Sequence, residues 1–169
     1  MNKKDEILRC ALEIVSLKGM DALTLNSLSE AVGLSKASMY HYFSSKEEII
    51  SQMLDMGHRN IMKNGFLLDL SGEPKDVLEK AAEKWENMFL DEDNWHFLRA
   101  VFSLHLSFPK AQDEYRSLFL MLSSQASVII SSFNTDQEKK RALIPLDSSA
   151  LMMSLERILE DEEADFSTP

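Results

Sequence analysis

The chain has 169 residues, 44% of them hydrophobic, and a formal net charge of -10. This length and composition suffice for a packed core and exclude an intrinsically disordered chain. The single cysteine, Cys10, excludes an internal disulfide and a cysteine-cluster zinc site, and the charged N-terminus excludes a signal peptide or a membrane-spanning segment there. We therefore expect a cytoplasmic protein without membrane contact.

The negative charge is unevenly distributed along the chain. Residues 1–63 hold eight basic and eight acidic side chains, whereas the remaining residues hold ten basic and twenty acidic ones. Taken alone, the net charge would fit an acidic protein that never binds nucleic acid. Because the first 63 residues are neutral as a group, any binding of a polyanion there must depend on individually placed cations and helix N-termini.

The segment from Asp5 to Lys18 predicts a core-forming first helix that Gly19 closes as a C-terminal cap. Its apolar positions at helical spacing are Ile7, Leu8, Ala11, Ile14 and Val15. Three cations at its start, Lys3, Lys4 and Arg9, are open to two interpretations. They either approach backbone phosphates or form a solvated face.

Two short helices are predicted after this one, separated by a tight turn at Gly33, a residue that tolerates positive φ. The first runs from about Asn26 to Val32, with Leu28, Ala31 and Val32 on one side. Ser35 is the predicted N-cap of the second, from about Lys36 to Phe43, in which Met39 and Phe43 point inward. Such a pair forms a helix-turn-helix, whose second helix enters the major groove of DNA.

The outward side of the second helix has an unusual composition for a solvated face. It combines a cation, small residues, a hydroxyl and two amphipathic rings, namely Lys36, Ala37, Ser38, Tyr40 and His41. These groups suit a helix that contacts phosphates and base edges. For Tyr40 the alternative is a packing role, since its ring is amphipathic.

The same segment resembles the N-terminal signature of the TetR-type (TetR/AcrR) family of transcriptional regulators, in register and without a gap. The resemblance covers residues 5 to 55 and rests on Gly19, Thr24, Leu28, Ala31-Val32-Gly33-Leu34-Ser35, Met39-Tyr40-His41-Tyr42-Phe43, Lys46-Glu47 and Ile49. One departure is Ser29, where the family usually has an alanine at the helix crossing. The resemblance implies an all-α protein with a three-helix, helix-turn-helix DNA-binding head and a helical ligand-binding and dimerisation body.

The resemblance also implies roles for individual residues. By position in the family motif, Thr24, Ser35, Tyr40 and Lys46 hold phosphates, and Lys36, Ala37, Ser38 and His41 lie near base edges. The implied partners are double-stranded operator DNA, a second copy of the chain and a small-molecule effector. The implied function is that of a repressor that binds a palindromic operator as a homodimer and is released by the effector.

A long helix is predicted to link head and body. Two overlapping capping boxes, Ser44 with Glu47 and Ser45 with Glu48, mark its start, and Asn64-Gly65 ends it. Its apolar positions are Ile49, Ile50, Met53, Leu54, Ile61 and Met62. The predicted domains are therefore a DNA-binding domain at 1–45, a connecting helix at 46–63 and a helical ligand-binding and dimerisation domain at 64–169.

The rest of the chain predicts further helices and no β-pattern. Pro74 opens a helix to Leu90, and an acidic turn from Asp91 to Asn94 interrupts it. This turn lacks the ligand spacing and the central glycine of a calcium loop. A nearly all-apolar helix follows from Trp95 to Phe108, then one from Pro109 to about Phe133, and a last one from about Asp147 to Glu160.

We expect neither an enzyme nor a cofactor or metal site. The four histidines show no metal-ligand spacing, and no phosphate loop or nucleophile motif is present. The alternative to a DNA-binding regulator is a helical protein-interaction or small-molecule-binding module that does not bind DNA. Such a module would explain the apolar body but not the basic, aromatic composition of residues 36 to 46.

Two further sets of residues are assigned to the body, mainly through the resemblance. Candidates for an effector pocket are aromatic, Met and scarce polar side chains, although an ordinary core would contain them as well: Trp85, Met88, Phe89, Trp95, His96, Arg99, Phe102, His105, Phe119 and Met121. A dimer is expected because one head reads few base pairs. Its candidate interface, on the last two helices, is Phe119, Leu122, Ile129, Met152, Leu155 and Leu159.

Overall fold

The computed structural model describes residues 2–65, 69 and 71–132, with the backbone alone for residues 64, 65, 74, 75, 78, 126, 127 and 129–132. Within this part the chain is all-α, as predicted, and contains no strand. The helices are α1 (Lys3–Lys18), α2 (Leu25–Ala31), α3 (Lys36–Met39), α4 (Lys46–Gly65), α5 (Pro74–Leu90), α6 (Glu92–Leu104) and α7 (Pro109–Ser132), with a 3-10 turn at Met20–Ala22.

The chain divides into two compact units. Residues 1–66 and 87–115 form the first unit. In it α1 packs against α2, α4 and α6, and α4 also packs against α6. Its core is apolar and includes Ile7, Leu8, Ala11, Leu12, Val15, Ile49, Ile50, Met53, Leu54, Phe97 and Val101. The compact unit therefore contains α6 together with the predicted DNA-binding head.

Residues 67–86 and 116–169 form the second unit. Among its described side chains, the buried ones are Val77, Ala81, Trp85, Leu118 and Leu122. The indole Nε1 of Trp85 donates a hydrogen bond to Gln125 Oε1 at 2.9 Å, which joins α5 to α7. The predicted helix at 147–160 lies outside the described residues.

The acidic run interrupts the helix as predicted, but the break is shorter than predicted: Asp91 alone lies between α5 and α6, and residues 92–94 already form the first turn of α6. Asp91 is the N-cap, and its carboxylate accepts a hydrogen bond from the backbone N–H of Asn94 at 2.9 Å. Acidic side chains in a first turn favour helix formation because they meet the positive end of the helix dipole. Asn94 is 1% exposed and donates to the Met88 carbonyl at 3.1 Å, so the end of this run is packed, whereas Asp91 and Glu92 are exposed.

Helix α6 also ends earlier than the sequence predicts. It stops at Leu104, and residues 105–107 form a turn before Pro109 opens α7. The residue that precedes a proline is disfavoured in the α conformation, which explains why Phe108 lies outside both helices. Leu106 in this turn is 88% exposed.

Gly57 permits the close approach of α4 and α6. A Cβ atom built on Gly57 would lie 2.2 Å from Cδ2 and 2.9 Å from Cβ of Phe97 on α6. Phe97 itself is 0% exposed, so its ring fills this crossing. The two helices can therefore keep this separation only while position 57 has no side chain.

Candidate nucleic-acid interface

Helix α2 begins with a capping box at Thr24. The Thr24 Oγ1 atom accepts a hydrogen bond from the Ser27 N–H, and Ser27 Oγ accepts one from the Thr24 N–H, both at 3.0 Å. These bonds satisfy two of the backbone donors that every helix start leaves without an intrahelical partner. Leu28 and Ser29 face the core, whereas Ala31, predicted to lie on the same side as Leu28, is exposed. The Ser29 hydroxyl is satisfied inside α2, donating to Asn26 O at 3.0 Å.

The turn after α2 is a Schellman motif centred on Gly33. The Gly33 N–H donates to Glu30 O at 3.3 Å, and the Leu34 N–H donates to Ser29 O at 2.9 Å. Gly33 has φ of +66°, the left-handed conformation that this motif requires at the residue after the cap. The turn predicted from the sequence is confirmed, and its geometry fixes the angle at which α3 leaves α2.

Replacing Gly33 with alanine should cost about 1–2 kcal/mol of folding free energy, because a side chain disfavours the left-handed conformation. The loss is purely conformational, since nothing lies within 4 Å of the added Cβ. Chemical denaturation measures it. Gly33→Asn should lose less, because asparagine tolerates this conformation. Equal losses for both variants would contradict the explanation.

Helix α3 is shorter than predicted, Lys36–Met39, and continues as turns through residues 40–42. Ser35 is its N-cap, as predicted, and accepts a hydrogen bond from the Ser38 N–H at 3.1 Å. Met39 and Phe43 are both buried, which confirms that this side faces the core. The capped start and the apolar inner face of α3 thus fix its position. Residues 2–43, which contain α1, α2 and α3, are called the reading unit from here on.

The outer face of α3 is open to solvent. Lys36, Ala37, Tyr40 and His41 are exposed, and Ser38 is half-buried, with its hydroxyl 2.8 Å from that of Ser35. Tyr40 is 60% exposed, so the alternative of a packing role for its ring does not hold. The structure therefore brings the predicted base-edge residues together on one accessible surface.

The first turn of α4 lies beside the reading unit. Ser45 Oγ accepts from the Glu48 N–H at 3.1 Å, and the Glu48 carboxylate reaches Ser44, accepting from its N–H at 2.7 Å and its hydroxyl at 2.6 Å. These Ser44 hydrogen bonds lower the pKa of Glu48. Lys46, predicted to hold a phosphate, donates from Nζ to Met20 O at 2.8 Å. Its ammonium is thus held at the edge of the reading unit.

The three cations at the start of α1 all have partners within the protein. Lys3 donates to Glu6 and to Val32 O, at 2.8 and 2.9 Å, and Lys4 lies 5.2 Å from the centre of the Phe43 ring. Arg9 pairs with Asp93 of α6 at 3.0 Å. These contacts make the three cations less available to backbone phosphates, and they also mean that the three side chains do not form a simply solvated face.

Two of the predicted pocket residues form hydrogen bonds with the reading unit. His96 Nδ1 lies 2.6 Å from Ser16 Oγ, and Arg99 Nε donates to Ser16 O at 2.6 Å. This role could not be found from the sequence because the partners are 80 and 83 positions apart, and no local pattern joins them. The signal that the sequence did offer was Ser16, a polar residue at a core-facing position of α1, because such a residue needs a hydrogen-bond partner.

His96 should make stability depend on pH. Its burial lowers its pKa below 6.5 despite the opposing charges of Glu13, Glu92 and Asp93, and Arg99 lowers it further. As the pH falls below about 6.5, the unfolded chain binds a proton more readily than the folded one, so stability is lost through this window. Urea midpoints at about pH 7.5 and 5.5 test this. His96→Asn, which does not titrate, should show a smaller change.

The remaining pocket candidates are distributed over both units. Phe102 and His105 meet Tyr115 in the first unit, where the His105 and Tyr115 rings stack at 4.6 Å. Met88, Phe89 and Trp95 also belong to the first unit, and Trp85, Phe119 and Met121 belong to the second. No group of three or more metal-ligating side chains occurs among the described residues. No described helix is long and apolar enough to cross a membrane.

The dimer candidates lie on α7 or beyond the described part of the chain. Leu122 is buried within the chain, and Phe119 is half-buried. Among the described side chains of this helix, the exposed large apolar ones are Leu120 and Val128. The other candidates lie outside the described part of the structure, namely Met152, Leu155, Leu159 and the side chain of Ile129.

Three comparisons place the chain among known proteins. Residues 7–53 match the family of bacterial regulatory proteins, tetR family. The HTH-type transcriptional repressor KstR2 of Mycobacterium tuberculosis (strain CDC 1551 / Oshkosh) is 26% identical over 87 residues, covering 52% of this chain and 39% of the relative. The negative transcriptional regulator IcaR of the biofilm operon icaADBC in Staphylococcus epidermidis is 38% identical over 52 residues, covering 31% and 28%. The chain thus matches less than two thirds of these relatives.

A solved structure extends the likeness beyond the N-terminal segment. The TetR family transcriptional regulator PfmR from Thermus thermophilus has a TM-score of 0.60 and 21% sequence identity, over 95% of this chain and 97% of that one. At this identity the likeness establishes a common fold. With the match at residues 7–53 and repressors among its relatives, the N-terminal part of the chain is similar to the tetR family of bacterial regulatory proteins, and the whole chain shares the fold of a solved member.

Proposed function

We propose that this protein is a transcriptional repressor that binds a palindromic operator as a homodimer and is released by a small-molecule effector. The observation that carries the proposal is the accessible face of α3, where Lys36, Ala37, Tyr40 and His41 are exposed over a buried Met39 and Phe43. A recognition helix needs this combination, because its outer side chains must reach base edges while its inner side fixes their position.

The relatives support the repressor assignment, since KstR2 and IcaR are both named as negative regulators of transcription. The functional division that we propose keeps a DNA-binding domain at 1–45, a connecting helix at 46–63 and a ligand-binding and dimerisation domain at 64–169. A cytoplasmic location and the absence of enzymatic activity belong to the same proposal.

For the dimer we propose an interface that includes the exposed face of α7. Leu120 and Val128 lie eight positions apart on it, and no charged residue occurs from Ser117 to Ser132. An uncharged helix face suits an isologous contact, in which the same surface meets its copy across a two-fold axis. Phe119, Ile129, Met152, Leu155 and Leu159 remain candidates beside it.

For the effector we propose a mostly apolar molecule, because aromatic and Met side chains dominate the candidate pocket residues. His105 belongs to this set. Its Nδ1 lies 2.6 Å from the Phe102 carbonyl, which leaves Nε2 for another partner. Linkage requires that the effector bind the DNA-incompetent form more tightly, and that DNA weaken effector binding by the same factor.

Selection of duplexes from a random-sequence pool by the purified protein tests the DNA assignment. We expect enrichment of a palindrome whose half-sites are spaced by about one helical turn or more, about 34–36 Å. Failure to enrich any sequence would favour a helical interaction module without DNA binding. Sedimentation at micromolar concentration tests the dimer separately, and a monomer would reject that part.

A further inference from the structure

Two side chains of α6 bind one residue near the end of α1. Arg99 Nε donates to the backbone carbonyl of Ser16, and His96 Nδ1 contacts the Ser16 hydroxyl, both at 2.6 Å. Ser16 is 4% exposed, and its two partners are half-buried, so both bonds are partly shielded from solvent. Hydrogen bonds in such surroundings are costly to lose, because the remaining partner stays buried without its bond.

The bond from Arg99 satisfies a group that α1 cannot satisfy alone. Because α1 ends at Lys18, the Ser16 carbonyl belongs to the last turn, whose oxygens have no N–H partner within the helix. A cation at this position also meets the negative end of the helix dipole. Arg99 therefore caps α1 from another helix.

The bond from His96 has a defined direction. The Ser16 hydroxyl donates its proton to Glu13 O at 2.9 Å, so it accepts from the His96 Nδ1–H. In the neutral ring Nε2 is then the basic atom, and it lies 4.0 Å from the Glu92 carboxylate. Protonation at Nε2 leaves the bond to Ser16 in place.

Both groups are oriented by their own helix. The Arg99 guanidinium lies 5.2 Å from the centre of the buried Trp95 ring, and the His96 ring meets the same ring edge-on at 5.1 Å. A cation over an aromatic face is attracted to it and loses side-chain freedom there. The exposed pair of Arg9 and Asp93 joins the same two helices.

We propose that His96 and Arg99 are positioning residues for DNA binding, which attach the reading unit to α6 through Ser16. When α6 moves, the bonds of His96 and Arg99 to Ser16 then move α1 with it, without the participation of α4. Because α1 packs against α2, and α2 against α3, the orientation of the recognition face follows that of α1. This inference rests on the proposed DNA binding for its functional consequence.

The test uses the full chain and a duplex that the wild-type protein selects from a random-sequence pool. His96→Leu and Arg99→Met should each weaken binding of this duplex about 3- to 10-fold, the range for one buried hydrogen bond, at a temperature where every variant is folded. His96→Asn places an amide donor near the Nδ1 position and should stay within about twofold. Ser16→Ala should remove the effect of His96→Leu but not that of Arg99→Met, whose acceptor is backbone.

Ser103→Ala is the matched control. Its hydroxyl donates to the Ala100 carbonyl three residues earlier, as the Ser16 hydroxyl does to Glu13, and it is exposed on α6. Variants that lower the melting temperature but bind the duplex as wild type does would overturn the proposal. If the wild-type protein selects no duplex, the proposed function fails. In that case, amide hydrogen exchange tests whether His96 attaches the reading unit to α6. Faster exchange in α2 and α3 of the His96→Leu variant supports the attachment. Exchange equal to that of the Ser103→Ala variant overturns it.

Discussion

Gly57→Ala should destabilise the protein by about 2–3 kcal/mol, the upper part of the range for overpacking a core. The substitution is favourable for the helix itself, since alanine gains about 0.8–1.0 kcal/mol over glycine in a helix interior. The steric cost exceeds this gain because the new Cβ would lie between 2.2 and 2.9 Å from three Phe97 atoms. One of these is the Phe97 Cβ, which rotation of the ring cannot move away.

Thermal unfolding should show this loss as a decrease of about 5–10 °C in melting temperature for a chain of this size. Arg59→Ala, an exposed change on the same helix, serves as the control and should stay within about 0.5 kcal/mol of wild type. Phe97→Leu should cost less in the Gly57→Ala background than alone, because the smaller side chain relieves the contact. A more stable Gly57→Ala protein would show that the helices separate freely.

Local signals in the sequence were sufficient to predict the reading unit. The cap at Ser35, the turn at Gly33 and the inward Met39 and Phe43 are all determined by residues within four positions of each other. Interactions of this range leave a pattern in a single sequence. The structure confirms these elements, although α3 ends at Met39 because the following turns replace its last predicted residues.

Contacts between distant residues could not be predicted in this way. The sequence carries no local signal for the role of Gly57, and only the position of Phe97 shows that a side chain is excluded there. His96 and Arg99 suggested pocket donors because a polar group on an apolar helix needs a partner, and the sequence does not reveal which one. The turn predicted at 91–94 is shorter than expected for a different reason: acidic runs occur both in turns and at helix starts, and residues 92–94 belong to α6.

Lys36→Ala and Lys46→Ala should both weaken binding of the selected duplex, but in different ways. Lys36 is the first residue of α3 and exposed, with no ion pair among the described residues. On a base edge it would contribute about 1–3 kcal/mol of discrimination, so its loss should relax sequence preference. On a phosphate, Lys46 would contribute equally to every sequence, and its loss should lower the salt slope by about one unit.

The Lys46 variant needs a matched control because its ammonium also donates to Met20 O. Lys46→Ala removes both this bond and the charge, and some loss of binding could come from disturbing the 3-10 turn. Lys46→Gln retains an N–H donor without the charge. If the Lys46 charge holds a phosphate, Lys46→Gln should have the same salt slope as Lys46→Ala. Its folding stability should be closer to that of the wild-type protein.

Titrations of the selected duplex and of a scrambled duplex, repeated over a series of salt concentrations, separate the two roles. We expect the ratio of the two affinities to decrease for Lys36→Ala and to stay constant for Lys46→Gln, because phosphate contacts carry no direct sequence information. The wild-type slope should itself be small, since Lys3 and Arg9 are already paired with Glu6 and Asp93. Unchanged affinity, ratio and slope in both variants would mean that α3 does not face DNA, and the proposed function would have to be abandoned.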